Sequence, residues 1–309
     1  MTNDRPSFAV NVDVTNPGQF FACCGLLELA HRLWPGVEGA FDESGAIFKV
    51  FCPPTSAADV RQLAEAIANC EISGLTENER EERAALEAER NRLKREGMPF
   101  PAEKEKRRKE LGAMARAGAI SLGSPFCLDL DWWQTSDDDV NTPKTWAGLQ
   151  EIHKVARAAQ EAFEKIEDLS ELFNHSCILR MPKEYSKNAS DQKKSVEPFY
   201  FDARRFAHAL DVGFSLDVQG AETVAHPAVE LLALIGLQRF RPGTPKQKWE
   251  FEYTAWAKPL SAPVAAAVVS GAVPVQPQQR YRFRLLFRDD QRRYKAFSYA
   301  TRIGGLADE

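Results

Sequence analysis

Five basic clusters, several interleaved with aromatic residues, are the groups in this 309-residue chain whose types and spacing could do chemistry. Lys104, Lys106, Arg107, Arg108 and Lys109 sit together, and Arg180, Lys183, Lys187, Lys193 and Lys194 surround Tyr185. Arg204 and Arg205 lie within PFYFDARRFAHALDVGFSLD, residues 198 to 217, and Arg239, Arg241, Lys246 and Lys248 follow in turn. Arg280, Arg282 and Arg284 alternate with Tyr281, Phe283 and Leu285, so period two puts the three guanidiniums on one face of a strand. Cationic groups neutralise phosphates and aromatic rings stack on bases, so the combination points to a nucleic-acid backbone. Plainer readings stand beside it: charge runs also suit solvated faces with i,i+4 ion pairs, and aromatic residues on strands also suit a core.

Other chemistries have less to work with. Asp129, Asp131 and Asp137 to Asp139 supply carboxylates for a two-metal nuclease centre, but no His, Glu or Lys at a useful spacing completes it. An Asp-rich turn after a strand also caps a following helix. His31, His153, His175, His208 and His226 are scattered through helices and their ends, and there is no GxGxxG, Walker loop, HExxH or GxSxG. The expectation is a binding protein with no catalytic residue, cofactor or metal. Six cysteines without CxxC spacing suggest a reducing, cytoplasmic setting. The chain shows no signal peptide and no apolar run approaching the roughly 20 residues of a membrane span. A net charge of −4 argues against a uniformly basic coat but leaves room for local patches.

The elements that must position these groups begin with a strand, SFAVNVDV, whose Phe8, Val10, Val12 and Val14 alternate with smaller or polar residues. Asn16-Pro17 then caps and opens a buried helix to Leu33, where only Glu28 interrupts the apolar run from Phe20 to Ala30. Gly25 within it predicts a close approach by another element. The move recurs downstream. DVGFSLDV, 211 to 218, reads as a strand, His226-Pro227 opens an apolar helix, and Gly236 pairs with Gly25 when the two are aligned.

Between them, 46 to 52 predicts a strand and the stretch after Ser56 a helix. Residues 77 to 110 predict an exposed charged helical hairpin, broken at Met98 to Pro101, or a partly disordered loop. Residues 126 to 133 predict a strand, and about 144 to 173 a helix presenting Trp146, Leu149, Ile152, Val155 and Ala156. After the second buried helix come a strand at 248 to 256, a short helix, and a hairpin around Asp289-Asp290. The expected fold is α+β, with two related strand-helix-strand-helix-strand halves, as two lobes or one sheet, and an inserted charged helical hairpin. The segments are 1–140, with the insertion at about 75–118, a helical connector and basic loop at 141–197, and a second α/β half at 198–309.

VDVTNPGQFFACCGLLELAHRL, PFYFDARRFAHALDVGFSLD and HPAVELLALIGLQRFRPG resemble blocks of a CRISPR-associated family of type I-U (also I-G) systems, a compact counterpart of the Cascade large subunit. DLDWW followed by KTWAG is similar to the same pattern. The resemblance implies a non-catalytic subunit of an RNA-guided surveillance complex, in which protein contributes PAM sensing, duplex opening and backbone contacts while the guide reads sequence. Implied partners are other type I subunits, guide RNA, target DNA and a separate helicase-nuclease. From their chemistry, the candidate nucleic-acid residues are Arg204, Arg205, Arg239, Arg241, Lys246, Lys193, Lys194, Arg280, Arg282 and Arg284. Two alternatives are a guide-processing endoribonuclease using His208 beside Arg204 and Arg205, and a structural adaptor docking through the charged hairpin.

Overall fold

Alternation and capping set the first elements as the sequence predicts. Strand β1 (Phe8–Asn11) leads into helix α1 (Pro17–Leu33), with Val10, Val12 and Val14 turned into the core. The Asn16 side chain accepts a hydrogen bond from the Gly18 amide at 3.1 Å, and every residue from Pro17 to Ala30 is buried. The structure, a computed structural model, describes residues 5–53, 58–134, 142–146, 150–186, 188–205, 222–243, 247–276, 278–288 and 291–304. After α1 comes a strand the periodicity does not announce, β2 (Glu38–Phe41), forming an antiparallel hairpin with β3 (Ile47–Phe51). Its small Gly39 accommodates the Phe48 ring, which a Cβ there would meet at 2.7 Å. Helix α2 (Val60–Asn69), capped by Asp59, and the two-residue strand β4 (Ile72–Ser73) follow.

The charged stretch forms two helices, α3 (Glu77–Arg95) and α4 (Ala102–Ala117), joined around Met98 to Pro101. Thr76 and Glu79 cap α3 reciprocally, side chain to backbone in both directions. The arm is inserted between β4 and β5 (Ile120–Leu122), which pair with each other, and β6 (Leu128–Leu130) completes that sheet. The strand expected over 126 to 133 therefore stops at Leu130. A 3₁₀ turn over Trp132–Gln134 follows and turns both Trp132 and Trp133 inward, which period two could not do.

The helix expected from about Lys144 to Phe173 is shorter, α5 (Ile152–Phe163). Upstream, the Thr145 carbonyl accepts the Lys295 amide at 2.8 Å, which holds Trp146 outside the helix. Downstream, Asp168 accepts from the Ser170 amide at 2.9 Å and starts a separate 3₁₀ turn, so local side-chain capping replaces helix continuation. Leu149 lies outside the described residues, as do Thr135 to Val140 and the strand predicted at 211 to 218.

Strand β7 (Cys177–Ile178) pairs with β8 (Val224–Ala225), which leads into the second buried helix, α6 (Pro227–Arg239). The chain continues through β9 (Glu250–Trp256), β10 (Leu260–Ser261), α7 (Ala262–Val269), β11 (Gln278–Phe287), β12 (Lys295–Phe297) and β13 (Thr301–Ile303). One sheet runs β1-β3-β2-β10 and so takes an edge strand from the C-terminal half. In another, β11 pairs with β9, β12 and β13, all antiparallel. The protein is thus mixed α+β with several small antiparallel sheets. One buried cluster extends from Val10 to Ala300 through all three predicted segments.

At its centre α1 and α6 cross at their glycines. A Cβ on Gly25 would lie 2.0 Å from the Leu232 carbonyl oxygen, and one on Gly236 would lie 2.1 Å from that of Phe21 and 2.7 Å from the Gly25 nitrogen. The two helices run in the same sense, because Asn16 and His226 at their starts both bind Asp202 while Glu28 and Arg239 pair near their ends. Among the described residues, no helix is long and apolar enough to cross a membrane.

Candidate functional site

Two helices that start side by side present free amides and polar caps in the interior, and the segment around Asp202 fills that position. Asn16 donates Nδ2–H to Asp202 Oδ1 at 2.8 Å, while its own Oδ1 accepts from the Gly18 and Ala203 amides, each at 3.1 Å. Asp202 Oδ2 lies 2.6 Å from His226 Nδ1 and accepts from Arg204 Nη2 at 2.7 Å. Arg204 also donates to Asn174 Oδ1 and the Phe173 carbonyl. Glu230, one turn into α6, accepts from the Asp202 and Phe201 amides at 3.3 and 3.4 Å. Gly18 lets this segment pass, since a Cβ there would sit 2.3 Å from the Phe201 carbonyl oxygen.

Environment divides the two acids. Burial alone would raise the Asp202 pKa, but hydrogen bonds from His226 and Arg204 outweigh it and hold the carboxyl well below the usual range. Burial, reinforced by the Asp202 charge, pushes Glu230 up to about 8. Asp202 is therefore the anion of the junction and Glu230 a neutral acid at neutral pH. Asp202 and Glu230 are both 0% exposed and His226 2%, so the cluster joins elements inside the core.

The tryptophans of DLDWW and KTWAG pack beside it. Trp132, Trp133 and Trp146 meet pairwise edge to face with ring centroids 5.5 Å apart, and Trp146 continues onto Phe199 and Phe201. Trp132 Nε1–H donates to the Leu234 carbonyl of α6 at 3.0 Å. Arg241 donates to the Trp132 carbonyl at 2.9 Å, and Gln238 bridges the Asp131 backbone and side chain. Asp129 accepts from Ser121 Oγ at 2.6 Å. Asp129 on β6 and Asp131 just after it thus serve structural hydrogen bonds, and among the described residues no three His, Cys, Asp or Glu side chains form a metal-binding group.

The remaining candidate cations are dispersed rather than gathered. Arg239 pairs with Glu28, which Arg32 also meets at 2.8 Å. Burial tends to raise the Glu28 pKa, and the two arginines more than reverse it. Along β11, Arg280 and Arg282 each reach Glu252 at 2.8 Å, and Arg284 reaches Glu250 at 2.6 Å. The arginine face predicted by period two is real, but all three guanidiniums are paired with the two cross-strand glutamates of β9, which leaves one net positive charge in place of three. In the basic loop, Arg180 pairs with Glu222 and Lys194 with Asp191, while Lys193 is exposed. Tyr185 packs against His153 and under Lys154 rather than facing solvent as a stacking platform. Lys187, His208 and Lys246, and the side chain of Arg205, lie outside the described residues.

Within the arm, Lys104 pairs with Glu89, Arg107 with Glu82, Arg108 with Glu87 and Glu105, and Lys109 with Glu105 at 3.8 Å, so four of the five cations singled out on α4 are held against acids. The structure brings Arg204, Arg239 and Arg241 to the two ends of the α1–α6 pair and leaves Arg280 to Arg284 on a separate sheet. Sequence reading did not single out Asp202 and Glu230. The available signal was a lone acid in each apolar helix, Glu28 and Glu230, since a charge in such a run needs a partner or a proton. No family model, curated protein or solved structure matches the chain.

Proposed function

We propose that the chain is a non-catalytic, large-subunit-like component of a type I CRISPR RNA-guided surveillance complex, of the I-U or I-G kind. In this reading it contacts guide RNA and target DNA along their backbones, takes part in PAM recognition and assembly with the other subunits in antiviral defence, and leaves cleavage to a helicase-nuclease. The observation that supports it is convergence of the blocks that carry the resemblance. Asn16 of the first, Asp202 and Arg204 of the second, and His226 and Glu230 of the third meet in one buried junction. The tryptophans of DLDWW and KTWAG pack onto Phe199 and Phe201 beside it. Blocks far apart in sequence that build one core are what a shared fold requires.

The same junction favours a binding role over catalysis. Its acid, base and neutral carboxyl have the types of an acid–base constellation, but all three are sealed from solvent and engaged with backbone amides and each other. Co-expression with type I subunits and a guide RNA, followed by affinity purification, tests the reading. The chain is expected to elute with the guide-bound assembly and to tighten its binding to target duplex. Its absence from that assembly, or metal-free cutting of repeat RNA by the purified chain, would count decisively against it.

A further inference from the structure

Charge along the α3–α4 arm is strongly polarised. Residues 77 to 89 carry six glutamates and two arginines, whereas residues 90 to 109 carry nine Lys or Arg and three Glu. The distal half thus has a surplus of six positive charges in a chain whose net charge is −4. Ion pairing between the helices disposes of Lys104, Arg107 and Arg108. Arg92, Lys94 and Arg95 ring the last turn of α3, exposed, with Lys106 exposed on α4. Among the described residues, the side chains of Arg92, Lys94 and Lys106 meet no acid, and Arg95 bonds only the Asn91 carbonyl.

We propose that this distal half of the arm is a contact for the phosphate backbone of a duplex nucleic acid. The inference rests on the nucleic-acid-contacting role proposed above and names the surface that performs it, in place of the glutamate-paired arginines of β11. A duplex presents closely spaced negative charge that needs no shaped apolar pocket. A protein partner would be expected to find an apolar patch at the interface core, and the tip offers Met98, 49% exposed, with the half-buried Phe100. The basic end of the arm also stands in contrast to an otherwise acidic molecule, so electrostatics orient it toward a polyanion.

The test uses the full chain and a variant, R92Q/K94Q/R95Q/K106Q, titrated with a short labelled DNA duplex and its RNA equivalent across a salt series, with polyglutamate as a protein-like polyanion. Wild type is expected to bind the duplexes. The variant, with an unchanged Tm because all four side chains are exposed, is expected to bind on the order of 30-fold more weakly near 0.1 M salt, with a log–log salt slope shallower by about 3. A variant that keeps wild-type affinity and slope overturns the arm as the contact while leaving the nucleic-acid role standing. Wild type that binds neither duplex overturns both, and wild type that prefers polyglutamate overturns the arm's assignment in favour of an acidic protein surface.

Discussion

At the scale of single residues, the buried junction works because its two carboxyls hold different protonation states. Asp202 ionises against His226 and Arg204, and that charge helps keep Glu230, fully buried in the core, neutral. A carboxyl whose pKa is about 8 when folded and 4.5 as a free side chain contributes fully below 4.5, where both states are protonated. As pH rises, the unfolded chain ionises first and stability falls by about 1.4 kcal/mol per pH unit until the folded group also ionises. Above that the loss is complete. Asp202 has the opposite sign: its stabilisation is present above the usual carboxylate range and disappears as pH falls through its lowered value. Glu230→Gln, which cannot ionise, is therefore expected to gain stability relative to wild type between about pH 5 and 8, measured as denaturant midpoints. A difference that stays constant over that range would show that Glu230 is charged in the folded protein.

At the scale of elements, the α1–α6 crossing is set by the absence of two side chains. Gly25→Ala improves helix propensity by about 1 kcal/mol, but its Cβ would stand 2.0 Å from the Leu232 carbonyl oxygen, so the helices must separate. The expected net loss is roughly 3 kcal/mol, read from chemical denaturation. Gly112→Ala in α4 is the contrast. Its nearest neighbour is the flexible Arg116 guanidinium at 3.3 Å, so the propensity gain is expected to survive as about 0.5 kcal/mol or more of added stability. The pairing of Gly25 with Gly236 is a contact between the two helices, and the runs β1 to β4 and β8 to β11 can be compared strand by strand. Pairing differs between the two runs, however: β2 pairs with β3, whereas β9 pairs with β11 and β10 crosses to β2.

At the scale of the whole molecule, the arm is an appendage on a continuous core. Its proximal residues Leu111 and Ala115 are buried and the Ala115 carbonyl meets His153, whereas the distal half is mostly exposed. Excising residues 90 to 103 and joining 89 to 104 by a short turn is expected to change global stability by less than about 1 kcal/mol. A collapse of the thermal transition would mean that the distal arm supports the core. Legibility followed the range of the physics. Helix starts at Asn16-Pro17 and His226-Pro227, the Met98–Pro101 break, the period-two face of β11 and the α+β class were readable because capping, backbone restriction and alternation act within a few residues. β2, the short α5 and the inward turn of Trp133 were not, because hairpin pairing, the Thr145–Lys295 hydrogen bond and aromatic packing depend on distant partners. The sequence by itself determined which residues are cationic and which helices must be buried. Only the tertiary structure decided which cations are neutralised, since a glutamate 28 residues from Arg280 or 211 from Arg239 becomes a neighbour only when strands pair and helices cross.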